Sequence, residues 1–202
     1  MASVHNPDYS DPLVVMALPL ESQGVFERAG IPVLYTGIGK VNATYSLTRR
    51  LSEYSRAGVP MPRVINFGTA GSRRHKTGSV LECHTFVQRD MDVTGLGVPL
   101  GATPFEEIPA RLEFPRLFPE LPGGECGSGD SFVMSEIALE CDVMDMEAYA
   151  LAKVCLLERV AFTSVKYVTD GADQASGQDW KANLKLAADQ FLLVYRRFFG
   201  EP

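Results

Sequence analysis

Four carboxylates stand where apolar, strand-like segments of the sequence end. Glu21 follows the first such segment and Asp170 follows the last, while Asp145 and Glu147 precede a stretch with helical periodicity. Carboxyl groups can take up or release protons and can accept hydrogen bonds from hydroxyl groups. Because ligands of open α/β sheets bind at the carboxyl ends of the strands, these four residues are the first candidates for a functional site.

Each of these carboxylates also has a purely structural interpretation. Asp145 and Glu147 could satisfy the free N–H groups at a helix start, where negative charge also favours the helix dipole. Asp170 and Asp173 lie in a glycine-containing segment, and either could close an Asx-turn. The sequence pattern by itself leaves both interpretations open.

The segments that must position these residues are typical of an α/β fold. Five short runs are rich in β-branched residues, and their continuous apolar character predicts strands that are covered on both faces. They are Pro12–Leu18, Ile31–Thr36, Arg63–Phe67, Ser79–Val87 and Val160–Val168. Segments with helical periodicity lie between several of them, which predicts helices on the sheet faces.

Three helices are predicted from periodicity and end signals. The first begins with Asn42 as the N-cap and ends before Gly58. The second runs from about Met146 to Glu158, and the third runs from Asp179 to about Phe199. The third helix is expected to turn one set of side chains inward: Leu184, Ala188, Phe191, Leu192 and Tyr195. The intervening stretch from Gly95 to Gly127 holds six prolines and is predicted to be mostly loop.

Length and charge limit the classes of protein that remain. With 202 residues, 46% of them hydrophobic, the chain can form one α/β domain, which we place at residues 13–202 after a polar leader at 1–12. The net charge of −6 and the lack of a Lys/Arg block argue against binding to a nucleic acid polymer. No apolar run approaches the length of a bilayer span, so the expected location is the cytoplasm and no membrane partner is expected.

Spacing also argues against a metal site, a redox pair and a nucleotide loop. The four cysteines form no C-x-x-C pair and are expected to be reduced and mostly buried, and the three histidines lack metal-ligand spacing. The segment Gly37–Lys40 lacks the other residues of a phosphate-binding loop. The segment Cys126–Gly129 does not complete a serine nucleophile motif and is expected to form a glycine-rich turn.

Five short motifs, taken together, resemble a known family. They are Gly37–Val41, Asn66–Gly71, Ser128–Val133, Met144–Ala148 and Thr169–Gln174, in that order along most of the chain. The sequence is similar to the 5′-methylthioadenosine/S-adenosylhomocysteine nucleosidases, which form part of the wider nucleoside phosphorylase and nucleosidase family. The resemblance implies a single α/β domain with a twisted mixed β-sheet flanked by helices.

The resemblance also implies an activity without a cofactor. The expected reaction is hydrolysis of the N-glycosidic bond of an adenine nucleoside, giving adenine and free sugar. The 5′ group is left open among methylthio, homocysteinyl, hydroxyl and larger substituents. The expected partners are the small-molecule substrate and a second copy of the chain, whose loop from about Met91 to Pro104 would complete the 5′ pocket.

Two residues are implied to act directly in the reaction. Asp170 matches the acid that protonates the purine as the bond to the sugar breaks, because an adenine anion is a poor leaving group. Glu21 matches the carboxylate that holds and deprotonates the attacking water while the ribose becomes oxocarbenium-like. An Asp near the purine can also accept from an exocyclic amino group, which favours adenine over 6-oxopurines.

The other implied residues bind the substrate. Thr69, Ala70 and Gly71 match the turn beside the water, and Met146 and Glu147 match the ribose-binding pair. Three further residues match base and 5′ contacts: Phe132 by stacking on the purine, Val133 through its backbone, and Trp180 against the 5′ substituent.

The sequence leaves two other functions open. The same family contains phosphorylases, which need arginines for phosphate. The segments Ala17–Glu21 and Asn66–Thr69 hold none, while Arg73 and Arg74 lie just past the second. The fold could also serve a nucleoside-binding protein without activity, although the presence of Glu21, Glu147 and Asp170 together argues against this.

Overall fold

The structure is a computed structural model that describes residues 10–131, 138–172 and 176–200, without the side chains of residues 10, 11 and 176–182. It consists of one mixed sheet with helices on both faces. The eight strands are β1 (Ser10–Met16), β2 (Val33–Tyr35), β3 (Pro62–Gly71), β4 (Val80–Gln88), β5 (Arg111–Glu113), β6 (Gly123–Ser128), β7 (Val143–Asp145) and β8 (Phe162–Asp170). The helices are α1 (Pro19–Ser22), α2 (Val25–Arg28), α3 (Lys40–Ala57), α4 (Ala148–Glu158) and α5 (Ser176–Phe199), with a 3-10 turn at Thr94–Leu96.

The strand pairings close part of the sheet into a ring. β8 runs parallel to β3 and antiparallel to β4, and β4 is followed across the sheet by β6 and then by β7. β7 returns to β3 through the antiparallel pair of Gly71 and Met144. β1 and β2 extend the parallel part of the sheet beyond β3, and β5 pairs with β4. The ends of β3, β4, β6 and β7 therefore meet at one place.

Two apolar layers hold the helices against this sheet. On one face, α3 and α4 pack through small and aliphatic residues such as Ala43, Leu47 and Leu151. On the other face, the aromatic residues Phe26, Phe67 and Phe191 join α2, β3 and α5, with ring centroids 5.4 to 5.5 Å apart. All nine residues of β8 are buried, as expected for a strand that is covered on both faces.

Most predicted elements are confirmed, with different ends. The helix predicted from Asp179 begins at Ser176, and its inward residues are buried apart from Leu192, which is partly buried. The four cysteines are free and buried. β1 begins at Ser10, inside the predicted leader, and the division at residue 12 stays a prediction. No helix in the described ranges is long and apolar enough to cross a bilayer.

The predicted start of α3 is wrong. The helix begins at Lys40, directly after Gly39, which has a φ of 91°. Asn42 therefore lies in the first turn, where its Nδ2 donates to the Ile38 carbonyl at 2.7 Å. The N–H of Gly39 is bound by a carboxylate 108 residues away in sequence, and local patterns cannot show such a partner. The predicted end is confirmed by Gly58, at a φ of 65°.

The prediction of a glycine-rich turn at Cys126–Gly129 is also wrong. Cys126, Gly127 and Ser128 form the end of β6, between β4 and β7. Glycine is required there because a Cβ at Gly127 would lie 2.5 Å from the Cys141 sulfur. The stretch from Gly95 to Gly127 is mostly loop, as predicted, but it also contains β5 and most of β6.

Candidate active site

A cavity of about 210 Å³ opens where the strand ends meet. Most of the residues predicted for the site line it: Glu21, Thr69, Ala70, Gly71, Met146, Glu147 and Asp170. Asp145 and Arg89 also line it. Glu21 and Asp170, which are 149 positions apart in sequence, thus line the same cavity. Phe132 and Val133 lie outside the described residues, as does the side chain of Trp180, and their predicted contacts stay predictions.

Glu21 is held in place by four donors. It lies on the single turn of α1, directly after β1, and is buried. Its Oε2 accepts from the N–H groups of Ala17 and Leu18 at 3.0 and 3.2 Å. Its Oε1 accepts from the N–H and the hydroxyl of Thr69 at 2.8 and 3.0 Å. The carboxylate is therefore oriented by the two residues that follow β1 and by β3 together.

Asp170 ends β8 and is buried beside Gly71. Its Oδ1 accepts from the Ala172 N–H at 3.0 Å, and its Oδ2 accepts from the Thr169 hydroxyl at 2.8 Å. A Cβ at position 71 would come within 2.7 Å of the Asp170 Oδ1, so this contact requires glycine. The Asx-turn predicted as the alternative for Asp170 is thus present, in a residue that also lines the cavity.

Asp145 and Lys166 form a buried ion pair at 2.8 Å. Asp145 also accepts from the Ser128 hydroxyl and from the Ala148 N–H at the start of α4. Lys166 also donates to the Asn66 Oδ1 at 2.8 Å. We call these four buried residues, Asn66, Ser128, Asp145 and Lys166, the Lys166 network.

Ionic pairing decides the charge states within this network. Burial opposes charge on both partners, but the attraction between them prevails. At Asp145, burial alone would raise the pKa, but the charge of Lys166 and several hydrogen bonds outweigh it. The pKa of Asp145 is therefore lowered below its usual range. At Lys166, burial alone would lower the pKa, but the negative charge of Asp145 outweighs it, and the pKa of Lys166 is raised. Both groups are charged at neutral pH.

Glu147 has a different environment, although it is only two residues from Asp145. It is the N-cap residue of α4, and its Oε1 accepts from the Gly39 N–H at 2.7 Å. Burial, and then the nearby charge of Asp145, raises the pKa of Glu147 to about 8. The Asp145 side chain makes the helix-start bond, so Glu147 is free of that structural task and lines the cavity.

Sequence reasoning missed Lys166, Asn66 and Arg89 as site residues. The one signal for Lys166 is that it is the single basic residue of a strand whose nine residues are all buried. Arg89 directly follows β4 and is buried. Its Nη1 donates to the Ser131 hydroxyl and its Nη2 to the carbonyls of Gly129 and Ser131. The two arginines considered from the sequence, Arg73 and Arg74, do not line this cavity.

Comparison with known proteins identifies the family. The family model described as "Phosphorylase superfamily" matches residues 23–199. The chain belongs to the phosphorylase superfamily. A relative from this superfamily, the 5′-methylthioadenosine/S-adenosylhomocysteine nucleosidase of Marinomonas sp., is 31% identical over 86% of this chain and 82% of its own length.

Solved structures of similar proteins have the same fold. The nucleosidase of the same name from Neisseria meningitidis, in complex with methylthio-immucillin-A, is 25% identical with a TM-score of 0.76, over 89% of this chain and 94% of that one. Futalosine hydrolase of Helicobacter pylori, 24% identical, has a TM-score of 0.78 over 91% and 97% of the two chains. The mixed α/β sheet flanked by helices, predicted from the sequence, is confirmed.

Proposed function

We propose that this protein is an N-glycosyl hydrolase that releases adenine from 5′-methylthioadenosine, S-adenosylhomocysteine or a related 5′-substituted adenosine. The observation that carries this proposal is the convergence of Glu21, Glu147 and Asp170 on one cavity. We call them the wall carboxylates. Within the described residues, no Lys or Arg nitrogen lies within 4.0 Å of their oxygens.

In the proposed mechanism the two faces of the sugar are served by different carboxyl groups. Asp170 donates a proton to the purine as the bond between C1′ and N9 breaks, so that adenine leaves as a neutral base. Glu21 orients a water molecule and accepts its proton as the oxygen adds to C1′. The four hydrogen bonds to Glu21 fix the direction of its carboxylate, which supports a positioning role.

Glu147 is proposed to bind the ribose hydroxyls. Its carboxylate has one described donor, the Gly39 N–H, so acceptor capacity is left for a ligand. In the ionised form it would also stabilise positive charge that develops on the sugar. Met146, Thr69, Ala70 and Gly71 complete the wall around the sugar and the water.

The test is release of base and sugar from four nucleosides, with and without phosphate. The nucleosides are 5′-methylthioadenosine, S-adenosylhomocysteine, adenosine and inosine. We expect adenine and free sugar without phosphate, and little reaction with inosine. A strict need for phosphate with formation of sugar 1-phosphate would identify a phosphorylase instead. Binding of these nucleosides with no turnover of any would identify a binding protein.

We further propose that the active form is a homodimer built on the outer face of α3 and α4. Three large apolar side chains on this face are exposed by 62% or more: Val41, Tyr45 and Leu157. They line a second, open cavity between the two helices. Exposed apolar patches on soluble proteins mark association surfaces, and a two-fold dimer uses the same patch on both copies.

Sedimentation equilibrium tests this assembly. Tyr45→Asp is expected to convert a dimer into a monomer. The matched control is Leu193→Asp, because Leu193 is equally an exposed apolar residue, at 58%, but lies on α5 across the sheet. A monomeric wild type, or equal effects of the two substitutions, would contradict the proposed interface.

A further inference from the structure

We propose that Arg89 forms an oxyanion-binding subsite within this cavity and selects substrates whose 5′ substituent carries a carboxylate or a phosphate. This inference deepens the proposed function and rests on it. Arg89 lines the cavity, is only 8% exposed and carries the positive charge of a guanidinium group. The question is what balances that charge.

No carboxylate of the described residues balances it. The ion pairs among the described residues include no contact between Arg89 and an acidic oxygen within 4.0 Å. The other buried cation near the cavity, Lys166, is paired with Asp145. Buried charges are normally paired, because an unpaired charge in a dry site is costly. Arg89 is therefore the cation at this cavity that a bound anion would satisfy.

The hydrogen bonds between Arg89 and the described residues also leave some of its donors unused. A guanidinium has five N–H donors, and the described partners are two carbonyl oxygens and one hydroxyl. The buried Nε has no acceptor among the described residues. The planar arrangement of these donors matches the paired oxygens of carboxylates and phosphates.

The surrounding backbone holds the guanidinium in one place. A Cβ at Gly129 would lie 2.8 Å from the Arg89 Cζ, so glycine is needed for the side chain to pass. The bonds to Gly129 and Ser131 then fix the orientation of the planar group. A charged group that is already oriented loses less entropy on binding a ligand.

The position of Arg89 favours an anion on the substrate over an attacking phosphate. Glu21, which we assign to the attacking water, follows β1, and Arg89 follows β4. β1 and β4 are not neighbours in the sheet: β3 and β8 lie between them on one side of the ring, and β3, β7 and β6 lie between them on the other. Adenine and ribose are uncharged at neutral pH, so a substrate anion at Arg89 must belong to the 5′ substituent.

The experiment compares two ligands of almost equal shape that differ in charge. They are 5′-(2-carboxyethyl)thioadenosine and its neutral carboxamide, measured by calorimetric binding and by adenine release. We expect the wild type to favour the carboxylate by about tenfold or more, as for a hydrogen-bonded charged group. Arg89→Met should abolish this preference and Arg89→Lys should retain part of it. Arg56→Met, at an exposed site on α3, should keep it.

The possible outcomes separate the two proposals. Equal affinity of the wild type for both ligands would overturn the subsite, and this result needs no variant. An unchanged preference in folded Arg89→Met would also overturn it and leave Arg89 as a loop support. If millimolar phosphate displaced the carboxylate ligand and was consumed to give a sugar phosphate, the anion would be the nucleophile, and the inference would be wrong. Because binding needs no turnover, a lack of adenine release would refute only the proposed function.

Discussion

The Lys166 network, which reaches the cavity through Asp145, and the wall carboxylates, which line it, are stabilised in opposite ways. In the network, Asp145 accepts from a lysine, a hydroxyl and an N–H group, and its charge is neutralised. The wall carboxylates accept from N–H and hydroxyl groups and have no described cation within ion-pair distance. Asp145 and Glu147 are two residues apart, yet the pKa of the first is lowered and that of the second is raised to about 8.

This difference indicates a division of labour. A fully paired network cannot exchange a proton with a ligand without losing its own bonds, so it suits a scaffold. A carboxyl group that is oriented by dipoles but not neutralised can still accept or donate a proton. We therefore expect substitutions in the Lys166 network to reduce stability and substitutions of the wall carboxylates to reduce activity.

The largest effect is expected from Asp170→Asn. This substitution keeps the shape and an acceptor oxygen but removes the acid, so kcat should fall by about 10³-fold while substrate binding changes little. Rates of adenine release and substrate affinity check this. Asp189→Asn on the exposed side of α5 should behave as the wild type. Near-normal kcat in Asp170→Asn would remove this residue from the acid role.

The next effect is on stability, from Lys166→Met. Removing one partner leaves Asp145 as an unpaired buried charge, so the free energy of unfolding should fall by about 3 kcal/mol or more. Urea denaturation measures this, with Lys185→Met on the surface of α5 as the control. The double variant Asp145→Leu/Lys166→Met should be more stable than Lys166→Met alone. A loss below about 1 kcal/mol would show that the pair is not the scaffold that we describe.

The charge state of Glu147 predicts opposite pH trends for stability and activity. Between the ordinary pKa of 4.5 and the raised pKa of about 8, the folded protein keeps a proton at Glu147 that the unfolded chain has released. Its contribution to stability is thus complete below about pH 4.5 and is lost as the pH rises to about 8. In the same range kcat/KM should rise, because ionised Glu147 accepts from the ribose hydroxyls.

Two glutamine variants separate this effect from other titrations. Glu147→Gln should flatten the fall in stability over this range and reduce kcat/KM by about tenfold. Glu158→Gln, at the exposed end of α4, should preserve both pH profiles. The measurements are denaturation and kinetics at a series of pH values. Unchanged profiles in Glu147→Gln would mean that another group titrates there.

The smallest effect is expected from Thr69→Val. It removes one of the four donors to Glu21 but keeps the N–H group, so kcat/KM should fall by about fivefold. Thr69→Ser retains the hydroxyl and should lose less. Steady-state kinetics of both variants decide this. A larger loss in Thr69→Ser than in Thr69→Val would show that the methyl group, and not the hydroxyl, matters.

The sequence by itself determined the five predicted strands, the C-terminal ends of the three predicted helices and most of the residues that meet in the cavity. It could do so because apolar continuity, helical periodicity and Gly58 at a helix end are local signals. It placed Glu21 and Asp170 after strands, and both line the cavity.

Only the tertiary structure decided the charge states of the carboxyl groups and the contacts between residues that are distant in sequence. The start of α3 depends on a bond from Gly39 to Glu147, and β6 depends on pairing with β4 and β7. The pKa of a carboxyl group depends on burial and on neighbours that are distant in sequence. Lys166 neutralises Asp145 and not Glu147 because folding brings it within ion-pair distance of the first only, and no spacing along the chain encodes that choice.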